Sequence, residues 1–156
     1  MPNPILRAAK VLALMSSVLN TNLNGENIFA GINTDVKPFN DFLDPASPNR
    51  AAFDASFATH FGFAADDPDA ADITAADMDA FLALVEGQMT GAGWSPAGSR
   101  ATDQTITSRI TLTETAQTSV SGNIPGLRKL AMAAATVAAT FGGELSKEAR
   151  MAAVER

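Results

Sequence analysis

Between residues 4 and 22 the apolar side chains Ile5, Ala8, Leu12, Met15 and Leu19 recur at steps of three and four, the spacing that lines one face of a helix. Val11, Leu14 and Val18 repeat that spacing one position earlier, which widens the apolar stripe and asks for cover on a second side. One of the covering neighbours can belong to another subunit. Near the other end of the chain Leu127, Leu130, Ala134, Val137 and Phe141 step in the same way. Ala131, Ala133, Ala135, Ala138 and Ala139 keep the remaining faces of this second helix thin, so that a partner helix can approach closely.

The segments between these helices are of a different kind. Asn20, Asn22, Asn24 and Gly25 favour turns and end the first helix. A short apolar strand is predicted over residues 27–32, closed by Gly31 and Asn33. Residues 104–113 alternate, with Ile106, Ile110 and Leu112 on one parity and mostly Thr and Arg on the other, which predicts a half-buried strand and makes it the sheet partner of 27–32. Residues 48–93 read as small helices: Phe53, Phe57 and Phe61 recur at steps of four, and Met78, Phe81, Leu82 and Val85 follow a start at Thr74, whose spacing to Asp77 resembles a capping box. Gly142 and Gly143 are expected to break the last helical region, with a shorter helix over 144–156. The fold class is therefore α+β. Helices from both chain ends would form a rod-like part over residues 1–38 and 100–156 with a small antiparallel sheet, and residues 39–99 would form a mainly helical insertion with its own small core.

Composition removes several functions. The 156 residues include no cysteine, which excludes disulfides, zinc-thiolate sites, iron–sulfur clusters and thiol nucleophiles. Seventeen acidic residues against eleven basic ones, the latter scattered except for Arg128 and Lys129, give a net charge of −6 and offer no stripe to track a nucleic-acid backbone. No apolar run approaches the roughly 20 residues of a membrane helix, and the opening MPNPILRAAK lacks the order of a signal peptide. With no tyrosine and one tryptophan, the aromatic content is mostly phenylalanine, suited to packing more than to polar recognition.

Reactive constellations are sparse. His60, the single histidine, could serve a hydrolase only with Ser56, Ser95 or Ser99, and no GxSxG elbow exists, so a packing or surface role is expected and no catalysis. Asp66, Asp67, Asp69 and Asp72 lack the order of a calcium loop and read as a solubilising acidic turn ahead of a helix; no metal or other cofactor is expected. Met15, Met78 and Met132 fall in helical apolar patterns and read as core, Met89 outside them. The Arg128–Lys129 pair reads as a solvated face, and Arg109 as a surface partner of Glu114 or of a neighbouring subunit. Gly25 and Gly31 are turn glycines, not a phosphate loop.

Three segments, LNTNLNGENIFAGINTDVKPF at 19–39, TSRITLTETAQTSVSGN at 107–123 and GLRKLAMAAATVA at 126–138, resemble the flagellin family of bacterial flagellar proteins, and within it the hook-associated, hook–filament junction branch. The resemblance implies a structural subunit that is exported through the flagellar channel without a cleaved signal peptide. It would then assemble outside the cell with copies of itself and with neighbouring hook and filament subunits, and an export chaperone is an implied further partner. The family's long first and last helices are expected to be missing from this chain, which would make it a core fragment. Leu12, Met15, Leu19, Leu127, Leu130 and Val137 are the expected inner packing residues, with the opposite stripe left for contacts between subunits. Two other readings stay open: the filament flagellin itself, and a secreted binding or adhesin module that presents the Phe-rich insertion.

Overall fold

The computed structural model describes residues 3–95, 97–140 and 145–155. Among them are five α-helices, α1 (Pro4–Leu19), α2 (Pro48–Phe61), α3 (Ala75–Thr90), α4 (Pro125–Thr140) and α5 (Lys147–Glu155). Two antiparallel two-stranded hairpins accompany them, β1 (Asn22–Leu23) with β2 (Glu26–Asn27) and β3 (Thr107–Arg109) with β4 (Thr115–Gln117). The class is α+β. The expected rod is not present: α1 and α4 have 16 residues each, about 24 Å at the helical rise. The predicted break at Gly142–Gly143, and Phe141 before it, lie outside the described residues.

Local chemistry explains where the helices start and stop. Asn3 accepts a bond from the Ile5 amide at 3.0 Å and Pro4 fills the first helical position, where its missing N–H costs nothing. Thr74 caps α3 by accepting from the Asp77 amide at 3.2 Å, while its hydroxyl donates to the Asp77 carboxylate at 2.7 Å. The shorter Asp thus meets the capping hydroxyl, where a Glu would reach back to the backbone. Ser146 caps α5 through the Ala149 amide at 3.0 Å and donates to the Ile73 carbonyl at 2.7 Å, tying α5 to the entrance of α3.

The sheet prediction needs correcting. Residues 27–32 do not pair with 106–112. The β1–β2 turn is a two-residue one with positive φ at Asn24 (53°) and Gly25 (92°), the geometry that suits the twist of a tight hairpin. Beyond it the chain is threaded between two other segments. The Gly31 amide donates to the Val120 carbonyl at 3.1 Å and the Gly122 amide to that of Phe29 at 2.8 Å, around an antiparallel bridge between Ala30 and Ser121. On the other side the Thr102 amide donates to the Ala30 carbonyl at 3.1 Å. Gly31 has φ +69°, and a Cβ there would lie 2.5 Å from the carbonyl oxygens of Thr102 and Gln104, so the threading requires glycine. Residues 107–117 fold back on themselves, with Ser108 opposite Ala116.

A second correction concerns the middle of the chain. Phe42, Phe53, Phe57, Ile73, Met78, Phe81, Leu82 and Val85 do not form a core of their own; they share one cluster with Leu12 of α1, Ala134, Ala135 and Ala139 of α4, and Leu145, Ala149 and Ala152 at α5. The rings meet edge to face, Phe53 against Phe81 at 5.6 Å and Phe57 against Phe81 at 5.2 Å. A smaller cluster gathers Met15, Leu19, Phe39, Trp94 and Ala131.

Loops between these elements are held by amide side chains. Asn20, just past α1, makes a two-way clamp with Phe39, donating to its carbonyl and accepting from its amide, both at 2.9 Å. Asn27 donates to the Thr34 carbonyl, Asn33 to that of Arg100, Asn40 to that of Ala97 and Asn49 to that of Asn40. Buried Asn123 accepts from the Trp94 indole N–H at 2.9 Å and donates to the Ala101 carbonyl at 2.6 Å.

Two outcomes are expected. Phe57 is 1% exposed, so Phe57→Ala should cost about 3–5 kcal/mol in urea unfolding, and deletion of residues 48–93 should abolish cooperative unfolding of what remains, because α1 and α4 lose the core they share. Asn123→Leu should cost about 3 kcal/mol by stranding the Trp94 N–H and the Ala101 carbonyl. Asn123→Asp should cost a comparable amount by facing a carboxylate oxygen to that carbonyl, with the single tryptophan as fluorescent reporter.

Candidate assembly surfaces

Among the described residues, exposed large apolar side chains gather on the first helix and at the second hairpin, with others scattered singly elsewhere. α1 buries Ala8, Leu12, Met15 and Leu19, and α4 is the helix it packs against most. The two run antiparallel: Leu19 lies against Gly122, just ahead of α4, whereas Leu12 shares its cluster with Ala134 and Ala135, further along it. Of the second stripe on α1, Val11 is half-buried against both clusters, while Leu14 and Val18 are 65% and 54% exposed and Leu6 joins them at 62%.

The expected inner residues divide. Leu12, Met15 and Leu19 are buried as expected for inner packing. On α4, Leu127 and Val137 are half-buried and Leu130 is 45% exposed, so Leu130 does not supply inner packing. The buried face of α4 is made by Ala131, Ala134, Ala135, Thr136, Ala139 and Thr140 instead. Three helices crowd this one, and only small side chains let α1, α3 and α5 come near it together.

A second exposed surface lies on the β3–β4 hairpin. Ile110 and Leu112, in the turn between the two strands, are 63% and 90% exposed and Ile106 is partly so, which corrects the half-buried reading: among the described residues nothing covers them. Hydroxyls hold the base of the hairpin, where Ser119 accepts from the Ile106 amide at 2.6 Å and Ser108 and Thr118 share a bond of 2.9 Å.

The reactive candidates have structural roles. His60 is exposed at the end of α2 with its ring against Phe61 and Phe81. Ser56, one turn earlier, bonds to the Ala52 carbonyl and to Gln88, and Ser99 is buried and turns its hydroxyl to the Ala101 amide. Asp67 caps a short 3₁₀ turn through the Asp69 amide. Among the described residues no three carboxylates or imidazoles converge as metal ligands would. A small cavity beside Trp94 and Phe53 has a volume of about 30 Å³, and its described lining is mainly apolar.

One residue has a role that the sequence reading missed. Arg128 does not point into solvent beside Lys129; its guanidinium lies 5.8 Å from the centre of the Trp94 ring. It donates to the Asn123 carbonyl at 2.9 Å and reaches the Thr90 carbonyl and the Asp103 carboxylate at 3.4 Å each. A cation in the first turns of a helix sits at the wrong end of the helix dipole, and that mismatch is the sequence signal that it has a tertiary partner. Compared with protein-family models, with curated proteins and with solved structures, the chain matches none.

Proposed function

We propose that this chain is a structural subunit of the bacterial flagellum, one that joins hook to filament by packing helix stripes and exposed apolar surface between subunits. The observation that carries the reading is convergence. The three segments on which the family resemblance rests, 19–39, 107–123 and 126–138, are distant in sequence yet meet in space: Ala30 bridges Ser121, Gly122 lies against Leu19, and α1 packs on α4. Exposed Leu14, Val18, Ile110 and Leu112 are then the surface that neighbouring subunits would cover, since a lone monomer gains nothing by leaving them in water. In this reading the chain acts outside the cell, after export through the flagellar channel, and performs no catalysis.

The filament flagellin itself would use the same surfaces, so place in the organelle, not fold, separates the two. A binding module that presents the insertion has less support, because Phe42, Phe53, Phe57 and Phe81 face the core. Immunogold electron microscopy with antibody against this chain is expected to label a short zone between hook and filament on the flagella of the bacterium that makes it. Label along the whole filament would make it a flagellin, and absence of flagellar label would sink the proposal.

A further inference from the structure

We infer that two copies of this chain associate head to tail, the outer face of α1 on one copy seating in the groove between α3 and α5 on the next. This deepens the proposed self-assembly by assigning its faces, and it rests on that reading only for its biological setting.

The argument begins with charge. The segment PILRAAKVLALMSSVL of α1 contains no acid and two bases, Arg7 and Lys10, so the net charge of −6 arises entirely outside this helix. Both bases are exposed, and with Leu14 they follow one another at helical spacing along a single ridge, flanked by exposed Leu6 and Val18. The ridge is basic at its start and apolar beyond.

A surface of opposite character lies on α3 and α5. An open groove of about 500 Å³ is lined by Ala75 and Asp79 from α3 and by Glu148, Met151, Ala152 and Glu155 from α5. Glu148, Met151 and Glu155 recur along α5 at helical spacing, so that the groove offers two anions and an exposed methionine to a ridge of two cations and a leucine. Among the described residues that line the groove none is a base, Lys147 and Arg150 of the same helix not being among them. The two surfaces are opposite in sign, and both carry exposed apolar side chains.

Their placement makes the contact propagate. α1 packs chiefly on α4, while α3 and α5 pack on one another and on α4, so the α1 ridge and the α3–α5 groove are separate surfaces of the molecule. Docking one copy uses the ridge of one molecule and the groove of the other, and leaves a free groove and a free ridge at the two ends of the pair. Such a heterologous contact adds copy after copy, into an open chain or, where the rotation closes, a ring. A single helix in a shallow groove buries little surface, so the association is weak and depends on salt.

Sedimentation velocity on the purified chain, over rising protein concentration at low and high salt, tests this. The average mass is expected to rise with concentration and to fall with salt. Arg7→Glu with Lys10→Glu, and separately Glu148→Lys with Glu155→Lys, should each weaken association at least about tenfold. All four changes in one chain should restore it, because the charges are then exchanged between the two faces. Leu14→Asp, at an exposed position that leaves folding intact, should weaken it as well, and circular dichroism confirms that each variant is folded. A wild-type chain that stays monomeric throughout, face variants that associate like wild type, or a charge-exchanged chain that fails to associate would each overturn the proposal. The measurement is made in solution, so its failure leaves the flagellar label as a separate question, and the reverse also holds.

Discussion

Buried backbone must find hydrogen bonds, and most folds meet that demand with helices and sheet ladders. In this chain the loops that join the helices have almost no ladder to use. Asparagine side chains stand in for it, with Asn20, Asn27, Asn33, Asn40, Asn49 and Asn123 each donating to a carbonyl elsewhere in the chain. Asn123 bears the most weight, since it satisfies the only tryptophan and the segment at Ala101 together, and Arg128 closes over the same ring from the Asn123 carbonyl. The seat on which α1 and α4 meet therefore depends on a few amide groups whose geometry has no slack. Replacing Asn123 leaves a buried donor and a buried acceptor without partners.

Packing around α4 follows from a different constraint. A helix with α1, α3 and α5 all against it has no room for large side chains, and alanine and threonine make up its buried face. Leu130 on this helix is displaced toward its outer side, and Leu127 and Val137 are only half-buried. Large residues are the usual guide to an inner face, and here the rule inverts because the crowding comes from neighbours on several sides.

That inversion marks the boundary of what the sequence made legible. Helix positions were readable almost to the residue from three–four periodicity and capping: Pro4, the Thr74–Asp77 pair and the Phe53–Phe57 repeat each marked a helix that is present. Which stripe faces inward was readable on α1, where Leu12, Met15 and Leu19 point to the core, but not at Leu130 on α4. Strand pairing was the least legible. The alternation of Ile106, Ile110 and Leu112 suggests one strand face, yet Ile110 and Leu112 lie in the turn between β3 and β4, and the chain at 107–117 finds its partner in itself and not in residues 27–32. The asparagines were read as turn formers, which is true of their backbone and silent about their side chains. One-dimensional patterns do not report where an amide group will find a carbonyl many residues away.

The shared core has a mechanical consequence. Had the middle of the chain kept a core to itself, it would hang from the outer helices on two connections, and any load on one part would be lost in the motion of the other. Phe42, Phe53, Phe57 and Phe81 instead pack in one cluster with Leu12 of α1 and the alanines of α4 and α5. The α1 ridge and the α3–α5 groove are thereby fixed to one close-packed interior of low compressibility. A subunit whose contacts with its neighbours must carry force needs its faces held at constant separation, and a single interior that reaches from α1 through α4 to α3 and α5 supplies that more directly than two domains joined by a hinge.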